Sequence, residues 1–332
     1  MSSKDSPIAK IGLLSIGGMG AGIANLLVAH NFAVATNCSG RSQDTIDRAR
    51  EANVELLKTD VDLVEECSVI LSVVPPRDAE ATARRIVDAL SQSKRREELY
   101  FVDLNAVSPS STKVIAALLE KSEVPVRFID GCILGGPPKR TSSTDGGSKS
   151  SSNTNYSDWI RPSLPISGPE SLSALPYGDT LASVLNMNPI SPDIGAASGL
   201  KMCFAAMSKG FIAIATQSFT TAHSLGVADV LRNEMAKGLP THLALADKAV
   251  PNMPPKAYRW VREMEEIAHT MAEEGGWGKE LFQGAAGVYK DIAEDEVLGS
   301  EKVGKRKRGT TLEDVAAAAA EGLQKKRRSS QE

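Results

Sequence analysis

A glycine-rich turn near the N-terminus combines residue types that could bind a phosphate. In the stretch KIGLLSIGGMGAGIANLL an apolar run leads into Ser15-Ile16-Gly17-Gly18-Met19-Gly20 and then into a helical pattern. In a G-x-G-x-x-G turn the first glycine permits the tight turn, the second admits a pyrophosphate and the third lets helix pack on strand. Here Ser15 replaces the first glycine, while Gly17 and Gly20 retain the other two. Serine is tolerated where φ is negative, so the turn is predicted to bind phosphate through Ile16, Gly17, Gly18, Met19 and Gly20 at the helix N-terminus.

The end of the next predicted strand carries groups suited to a second phosphate. Turns that bind NAD place an Asp or Glu about 20 residues further on, where it holds the ribose hydroxyls. This sequence has NCSGRSQD there, which offers Ser39, Arg41 and Ser42 instead of an acid. A guanidinium pairs with phosphate through charge-assisted, bidentate hydrogen bonds. The pattern therefore predicts NADP as the cofactor in preference to NAD.

Alternating apolar runs and helical patterns indicate the elements that position these residues. Between residue 10 and about residue 138 the apolar runs are IGLLSI, FAVATNC, VILSVVP, YFVDLN and VRFIDGCI. Continuous apolar runs are typical of strands buried on both faces of a parallel sheet. Strand, helix and strand in repetition predict a doubly wound α/β domain of the Rossmann type over residues 1–191. The segments LPISG and ASVLNM look like further strands of it.

The second half of the chain has a helical character. The stretch from Gly195 to Leu225 is predicted to form one long apolar helix, and Trp260, Met264, Ile267 and Met271 lie on one face of another. This stripe is interpreted as core or dimer interface. We therefore predict an all-α domain over residues 192–298 that binds substrate and forms a homodimer.

Two segments depart from this pattern. Residues 139–160 form a Ser-rich insertion that is nearly free of apolar residues, so it is predicted to be disordered. Residues 299–332 are predicted to form a flexible basic tail with, at most, a frayed or loosely attached helix. Its clusters Lys305–Arg308 and Lys325–Arg328 resemble a nuclear localisation signal, although their separation is loose for one.

Composition limits the other function classes. Of the 332 residues, 42% are hydrophobic and 24% are charged, and the net charge is only −3, which argues against a surface for nucleic acid along the whole chain. The four cysteines lie far apart without C-x-x-C spacing, so no metal site is expected. No signal-peptide core and no apolar run near 20 residues were identified. A cytoplasmic protein without membrane contact is expected, with nuclear entry through residues 305–328 as an alternative.

Six motifs in order resemble one family. GLLSIGGMGAGIA, NCSGRS, VVPP, DLNAVSP, DGCILGGPP and GAASGLKMCFAAMSKG have the order and approximate spacing of the β-hydroxyacid dehydrogenase superfamily. That superfamily includes 6-phosphogluconate and 3-hydroxyisobutyrate dehydrogenases, and the chain is similar to a less characterised branch of it. The resemblance covers roughly residues 10–293 apart from the insertion. In that branch another residue often replaces the first glycine of the turn, so Ser15 is interpreted as a trait of the branch.

The resemblance implies roles for particular residues. Lys201, in a G-x-x-x-x-x-K context that begins at Gly195, would be the general base for alcohol oxidation or the general acid for carbonyl reduction, beside the nicotinamide C4. A buried lysine suits this role because desolvation lowers its pKa. The resemblance further implies cofactor contacts at Val74, Pro75 and Asn105, and substrate contacts at Gly135 and Gly136. Lys209, two turns beyond Lys201, is a further candidate for a substrate carboxylate or phosphate.

Two departures leave the function open. Many members have an asparagine three or four residues after the lysine, where this chain has Phe204 and Ala205. Many also have Ser-Gly-Gly in the substrate loop, where Leu134 replaces the serine. The main hypothesis is an NADP-dependent dehydrogenase or reductase (EC 1.1.1) acting on a small hydroxy acid or keto compound. The alternatives are an imine reductase on the same fold and a catalytically silent regulatory protein that senses NADPH.

Overall fold

The computed structural model describes residues 6–141, 156, 158–300 and 306–329. Of the Ser-rich insertion, residues 142–155 and 157 lie outside the described residues, as does Lys305 of the first basic cluster. The prediction of disorder over residues 139–160 is wrong at both ends, because Lys139–Arg140 and Trp159–Ile160 pair as antiparallel strands. The chain divides into two compact units, Met1–Lys201 and Met202–Glu332. Each unit is described by itself below.

The first unit is built on an eight-stranded sheet. Its strand order is β10-β9-β6-β5-β4-β1-β2-β3, and β7 pairs with β8 in a separate antiparallel ribbon. All neighbours in the large sheet are parallel except β6 and β9. The strands are β1 (Lys10–Leu14), β2 (Ala33–Asn37), β3 (Glu55–Leu57), β4 (Val69–Ser72), β5 (Leu99–Asp103), β6 (Val126–Gly131), β7 (Lys139–Arg140), β8 (Trp159–Ile160), β9 (Leu164–Ser167) and β10 (Met187–Ser191).

Helices cover both faces of this sheet. The order from β3 to β6 is the 3-2-1-4-5-6 order of a doubly wound dinucleotide-binding fold, in which ligands bind where the strand order reverses. The Rossmann fold predicted from the apolar runs is therefore confirmed. Its helices are α1 (Gly18–Ala29), α2 (Gln43–Glu51), α3 (Asp60–Glu66), α4 (Ala79–Gln92), α5 (Pro109–Glu120) and α6 (Gly178–Leu185).

Local sequence signals explain the start of α5 and one wrongly predicted strand. Ser108 caps α5, accepting a hydrogen bond from the Ser111 N–H at 3.2 Å, and Pro109 occupies the first helical position. The segment ASVLNM, expected to be a strand, mostly completes α6 instead. Its apolar residues Leu181, Val184 and Leu185 are buried at helical spacing, which a short apolar run does not distinguish from a strand.

The second unit is entirely helical among its described residues. Helix α7 (Ala196–Ser224) begins in the first unit and continues into the second, which agrees with the long helix predicted from Gly195. In helix α10 the predicted stripe is core, because Trp260, Met264 and Ile267 are buried and Trp260 packs edge-to-face on Tyr289. The remaining helices are α8 (Ala228–Gly238), α9 (Pro240–Ala249), α10 (Ala257–Glu273), α11 (Glu280–Glu294) and α12 (Leu312–Ser329).

The C-terminal segment is more ordered than the predicted flexible tail. Helix α12 spans 18 residues and buries Leu312, Val315, Ala316, Ala318 and Ala319. Alanine and leucine at helical spacing form an apolar face, and packing of that face stabilises a helix that would fray in isolation. The cluster Lys325–Arg328 forms its last turn, where cations interact favourably with the helix dipole.

Helix α7 has the dimensions of a membrane span. It is the one helix among the described residues that is long and apolar enough to cross a membrane, with a mean hydropathy of 1.2 in its most apolar window. This differs from the expectation that no apolar run approaches 20 residues. The core helices of globular proteins meet the same criterion, and 39% of that window is buried inside the protein.

Candidate functional site

The glycine turn follows β1 and has the geometry of a phosphate-binding loop. Gly17 is the N-cap of α1, and a Cβ added at Gly17 or Gly18 would meet no atom within 4 Å, so the turn is open on that side. Gly20 is buried, and a Cβ there would lie 2.0 Å from the Ser15 carbonyl oxygen. Only glycine therefore allows α1 to pack this closely on the turn. Ile16 is buried in the core, and its carbonyl accepts a hydrogen bond from Arg48.

The loop after β2 presents hydroxyls and a guanidinium at the start of α2. Arg41 N–H donates to the Cys38 carbonyl at 3.0 Å, and Gly40 has a φ of 70°, which a glycine accommodates without strain. Ser39, Arg41 and Ser42 are all exposed, and Ser42 is the N-cap of α2. Asn37 at the end of β2 braces this loop, since its Oδ1 accepts from the Ser39 N–H at 2.8 Å. The three residues predicted to bind the 2′-phosphate thus lie on one exposed loop.

A row of polar residues crosses the carboxyl ends of the central strands. Ser72 on β4 pairs with Asp103 on β5, and Asp103 pairs with Asp130 on β6. The Asn105 amide links two of the following loops, because its Oδ1 accepts from the Val74 N–H at 2.7 Å and its Nδ2 donates to the Ser72 Oγ at 3.0 Å. Asn105 is buried, so it acts here as a brace for the segment of Val74 and Pro75.

Asp130 organises the start of α7. Its Oδ2 accepts from the Ser167 Oγ at 2.8 Å and from the Gly195 N–H at 2.9 Å, and its Oδ1 accepts from the Ser198 Oγ at 2.6 Å. Thr112 on α5 extends the network, with its Oγ1 2.7 Å from the Ser198 Oγ. Burial raises the pKa of Asp130, and the hydrogen bonds from Ser198, Ser167 and Gly195 oppose that rise.

Lys201 reaches back from α7 to the loop after β6. Its Nζ donates a hydrogen bond of 2.6 Å to the Ile133 carbonyl, which lies two residues before Gly135. Gly135 has a φ of 135°, a conformation that is strained for any other residue, and both Gly135 and Gly136 are exposed. The structure thus brings the predicted proton-transfer residue to the segment that leads into the predicted substrate loop.

The predicted site residues of the first unit share one edge of the sheet. They follow β1, β2, β4, β5 and β6, and the carboxyl ends of parallel strands meet at the same edge. Lys209 belongs to the second unit, where its ammonium forms an ion pair with Glu263 and lies 5.1 Å from the centre of the Trp260 ring. Its role toward a substrate stays a prediction.

Three residues of this region were not identified from the sequence as functional. Asp103 and Asp130 end apolar runs, and a carboxylate at the end of a buried strand is a signal that could have revealed them. Arg48 on α2 donates from its Nη1 to the Ile16 carbonyl at 2.7 Å, a contact across 32 residues that no local pattern indicates.

Asp103 makes stability depend on pH. It is buried, and desolvation raises its pKa to about 7 from 3.8 in spite of hydrogen bonds from Asn105. A raised pKa in the folded state means that its contribution is fully present below about pH 4 and is lost as pH rises to about 7. We expect Asp103→Asn to remove much of that loss, which amounts to up to about 4 kcal/mol. Urea unfolding at pH 5 and pH 8 would measure the part of this loss that falls above pH 5, about 3 kcal/mol.

The control for this prediction is Asp88→Asn, which changes an exposed carboxylate on α4. The wild type and this control should both lose free energy of unfolding between pH 5 and pH 8, by more than Asp103→Asn does. Equal losses in all three proteins would contradict the assigned role of Asp103.

Comparisons with known proteins agree with this geometry. Residues 10–154 match the NAD-binding domain of 6-phosphogluconate dehydrogenase, and residues 222–292 match a domain of unknown function, DUF1932. A comparison with curated proteins gave no significant match.

Solved structures with the same fold cover nearly the whole chain. A 3-hydroxyisobutyrate dehydrogenase from Mycobacterium tuberculosis, solved with L-serine, has a TM-score of 0.62 at 17% identity over 94% of this chain and 98% of its own. A conserved hypothetical protein from Sinorhizobium meliloti 1021 has a TM-score of 0.59 at 19% identity, over 96% of this chain and 98% of its own. A reductive aminase from Aspergillus terreus, in complex with NADPH and ethyl levulinate, has a TM-score of 0.51 at 15% identity, over 93% of this chain and 98% of its own. At these identities the likeness concerns the fold alone.

The fold and the glycine turn define a protein of the NAD(P)-binding dehydrogenase and reductase class. The chain carries an NAD-binding domain of the 6-phosphogluconate dehydrogenase type over residues 10–154, followed by a DUF1932 domain over residues 222–292. The order of these two domains supports the resemblance to the β-hydroxyacid dehydrogenase superfamily that the six motifs indicated.

Proposed function

We propose that this protein is an NADP-preferring oxidoreductase that interconverts a small hydroxy acid and the corresponding keto compound. The observation that carries the proposal is the hydrogen bond from the Lys201 Nζ to the Ile133 carbonyl, beside Gly135 and Gly136. It holds a group that can accept or donate a proton at the edge of the sheet where the dinucleotide loops lie. A lysine held in this way suits proton transfer to or from a reacting oxygen.

The residues present fit a bound dinucleotide. The open turn at Gly17 and Gly18 would receive the pyrophosphate, and the exposed loop with Ser39, Arg41 and Ser42 would receive the 2′-phosphate. A bound nicotinamide supplies the hydride acceptor or donor. The neutral Lys201 amine accepts the hydroxyl proton when an alcohol is oxidised, and the ammonium returns a proton to the oxygen when a carbonyl is reduced.

The preference for NADP is tested through Arg41. We expect Arg41→Ala to weaken NADPH binding about tenfold or more, because one bidentate ion pair with the 2′-phosphate is lost, which corresponds to at least about 1.4 kcal/mol. NADH has no 2′-phosphate, so its affinity should change little. Calorimetric titration of both nucleotides into the wild type and the variant measures the difference.

The matched control is Arg77→Ala, since Arg77 is another exposed arginine of the first unit, in the short 3-10 helix after Pro75. It should bind NADPH as tightly as the wild type. If Arg41→Ala left the ratio of NADPH to NADH affinity unchanged, the proposed preference for NADP would be wrong. If the wild type bound neither nucleotide, the proposed oxidoreductase function would fail as a whole.

An imine reductase is the second candidate. Leu134 stands where a hydroxyl would bind a substrate carboxylate, and its N–H and C=O both pair with Ser163 in a β-bridge. The fold also matches a reductive aminase solved with NADPH. A panel that compares cyclic imines with hydroxy and keto acids would separate the two activities.

A further inference from the structure

The glycine turn is held from outside by a side chain of helix α2. The Arg48 Nη1 donates a hydrogen bond of 2.7 Å to the backbone carbonyl of Ile16. Arg48 is half-buried and Ile16 is 1% exposed, so water competes weakly for this bond. A guanidinium donor also makes a stronger hydrogen bond to a carbonyl than a neutral donor does.

This bond fixes the direction of a neighbouring backbone N–H. In a planar trans peptide unit the C=O and the N–H point in opposite directions. The Ile16 carbonyl and the Gly17 N–H belong to one unit, so anchoring the carbonyl on Arg48 turns the Gly17 N–H away from Arg48. Gly17 is the N-cap of α1, and the N–H groups at this end of a helix have no intrahelical partners.

The anchor matters more in this chain because of Ser15. A glycine at that position would permit the tight turn by its backbone freedom alone. On its other side the turn is fixed by the close packing of Gly20 against the Ser15 carbonyl. Arg48 and Gly20 together therefore hold the turn on both sides of Gly17.

We propose that Arg48 is a positioning residue that preorganises the glycine turn for the pyrophosphate of the dinucleotide. The inference rests on the proposed cofactor binding and deepens it. A turn already held in its binding conformation loses less entropy when the ligand binds, which strengthens binding. Because pyrophosphate occurs in both NADPH and NADH, Arg48 contributes to both affinities, whereas Arg41 contributes to NADPH alone.

The test is a titration of NADPH and NADH into the full-length wild type and into Arg48→Ala, Arg48→Lys and Arg50→Ala. Arg50 is the matched control, because it lies on the same helix, is exposed and pairs with Asp47 at 3.5 Å. We expect Arg48→Ala to weaken both nucleotides by about tenfold or more and by similar factors. Arg48→Lys keeps a charged donor of nearly the same reach, so it should stay within about threefold of the wild type. Arg50→Ala should match the wild type.

Three outcomes would overturn the inference. Unchanged affinities in Arg48→Ala would show that the turn needs no anchor. A loss confined to NADPH would place Arg48 at the 2′-phosphate, and a full loss in Arg48→Lys would mean that a hydrogen-bond donor at this position does not preserve the affinity. Failure of the proposed function is distinguishable, since the wild type itself would then bind neither nucleotide. Thermal unfolding of each variant checks its folding, and Arg48→Lys keeps the test decisive if Arg48→Ala is unstable.

Discussion

Replacing Lys201 by alanine is expected to lower kcat about 10²- to 10⁴-fold on whichever hydroxy or keto acid the wild type converts, because the proton must then move without a positioned acid or base. The affinity for NADPH should change much less, since the loops that hold the dinucleotide are left intact. Steady-state kinetics with a parallel cofactor titration would separate the two effects.

Two further variants sharpen this test. Lys201→Arg keeps the positive charge but cannot deprotonate, so it should also fail to support alcohol oxidation. Lys113→Ala removes an exposed lysine on α5 of the same unit and should leave kcat within about twofold. Full activity in Lys201→Arg would show that the charge alone matters and that another group moves the proton.

Replacing Asp130 by alanine is expected to lower the free energy of unfolding by about 3–4 kcal/mol. The substitution removes the acceptor for buried donors on Ser167, Gly195 and Ser198, and each donor left unpaired costs roughly 1–3 kcal/mol, offset in part where a hydroxyl finds another acceptor. Chemical unfolding of the wild type and the variant would measure the loss.

Asp130→Asn provides the graded comparison. The amide keeps one oxygen as an acceptor and loses the other, so it should lose roughly half as much stability as Asp130→Ala. Hydrogen exchange over residues 195–201 should be faster in both variants, because the start of α7 loses its anchor. A loss below about 1 kcal/mol in Asp130→Ala, with unchanged exchange, would contradict the role of Asp130 as that anchor.

Stability and activity are linked through this anchor. Ser198 lies one helical turn before Lys201, and both Asp130 and the Lys201 contact at Ile133 lie at or just after the end of β6. Displacement of the helix start would also displace the Lys201 ammonium. Asp130 variants that stay folded should therefore lose kcat, with a smaller effect on NADPH affinity.

Much of the first unit could be predicted from short-range patterns. Five continuous apolar runs gave β1, β2, β4, β5 and β6, because strands of a parallel sheet are buried on both faces and must be apolar throughout. Ser108 and Pro109 marked the start of α5 because capping is a local interaction. The short strand β3, with only half-buried apolar residues, carried too little of this signal to be identified.

The sequence by itself determined the residue types of the site and their order along the chain. The glycine spacing, the hydroxyl and arginine loop and the lysine after Gly195 are each local, and a parallel sheet necessarily collects strand ends at one edge. Tertiary structure alone decided which partners those residues have. The bonds of Arg48 to Ile16, of Asp130 to Ser198 and of Lys201 to Ile133 span 32 to 68 residues. Such contacts depend on how helices pack on the sheet, and no periodicity within a single segment encodes that packing.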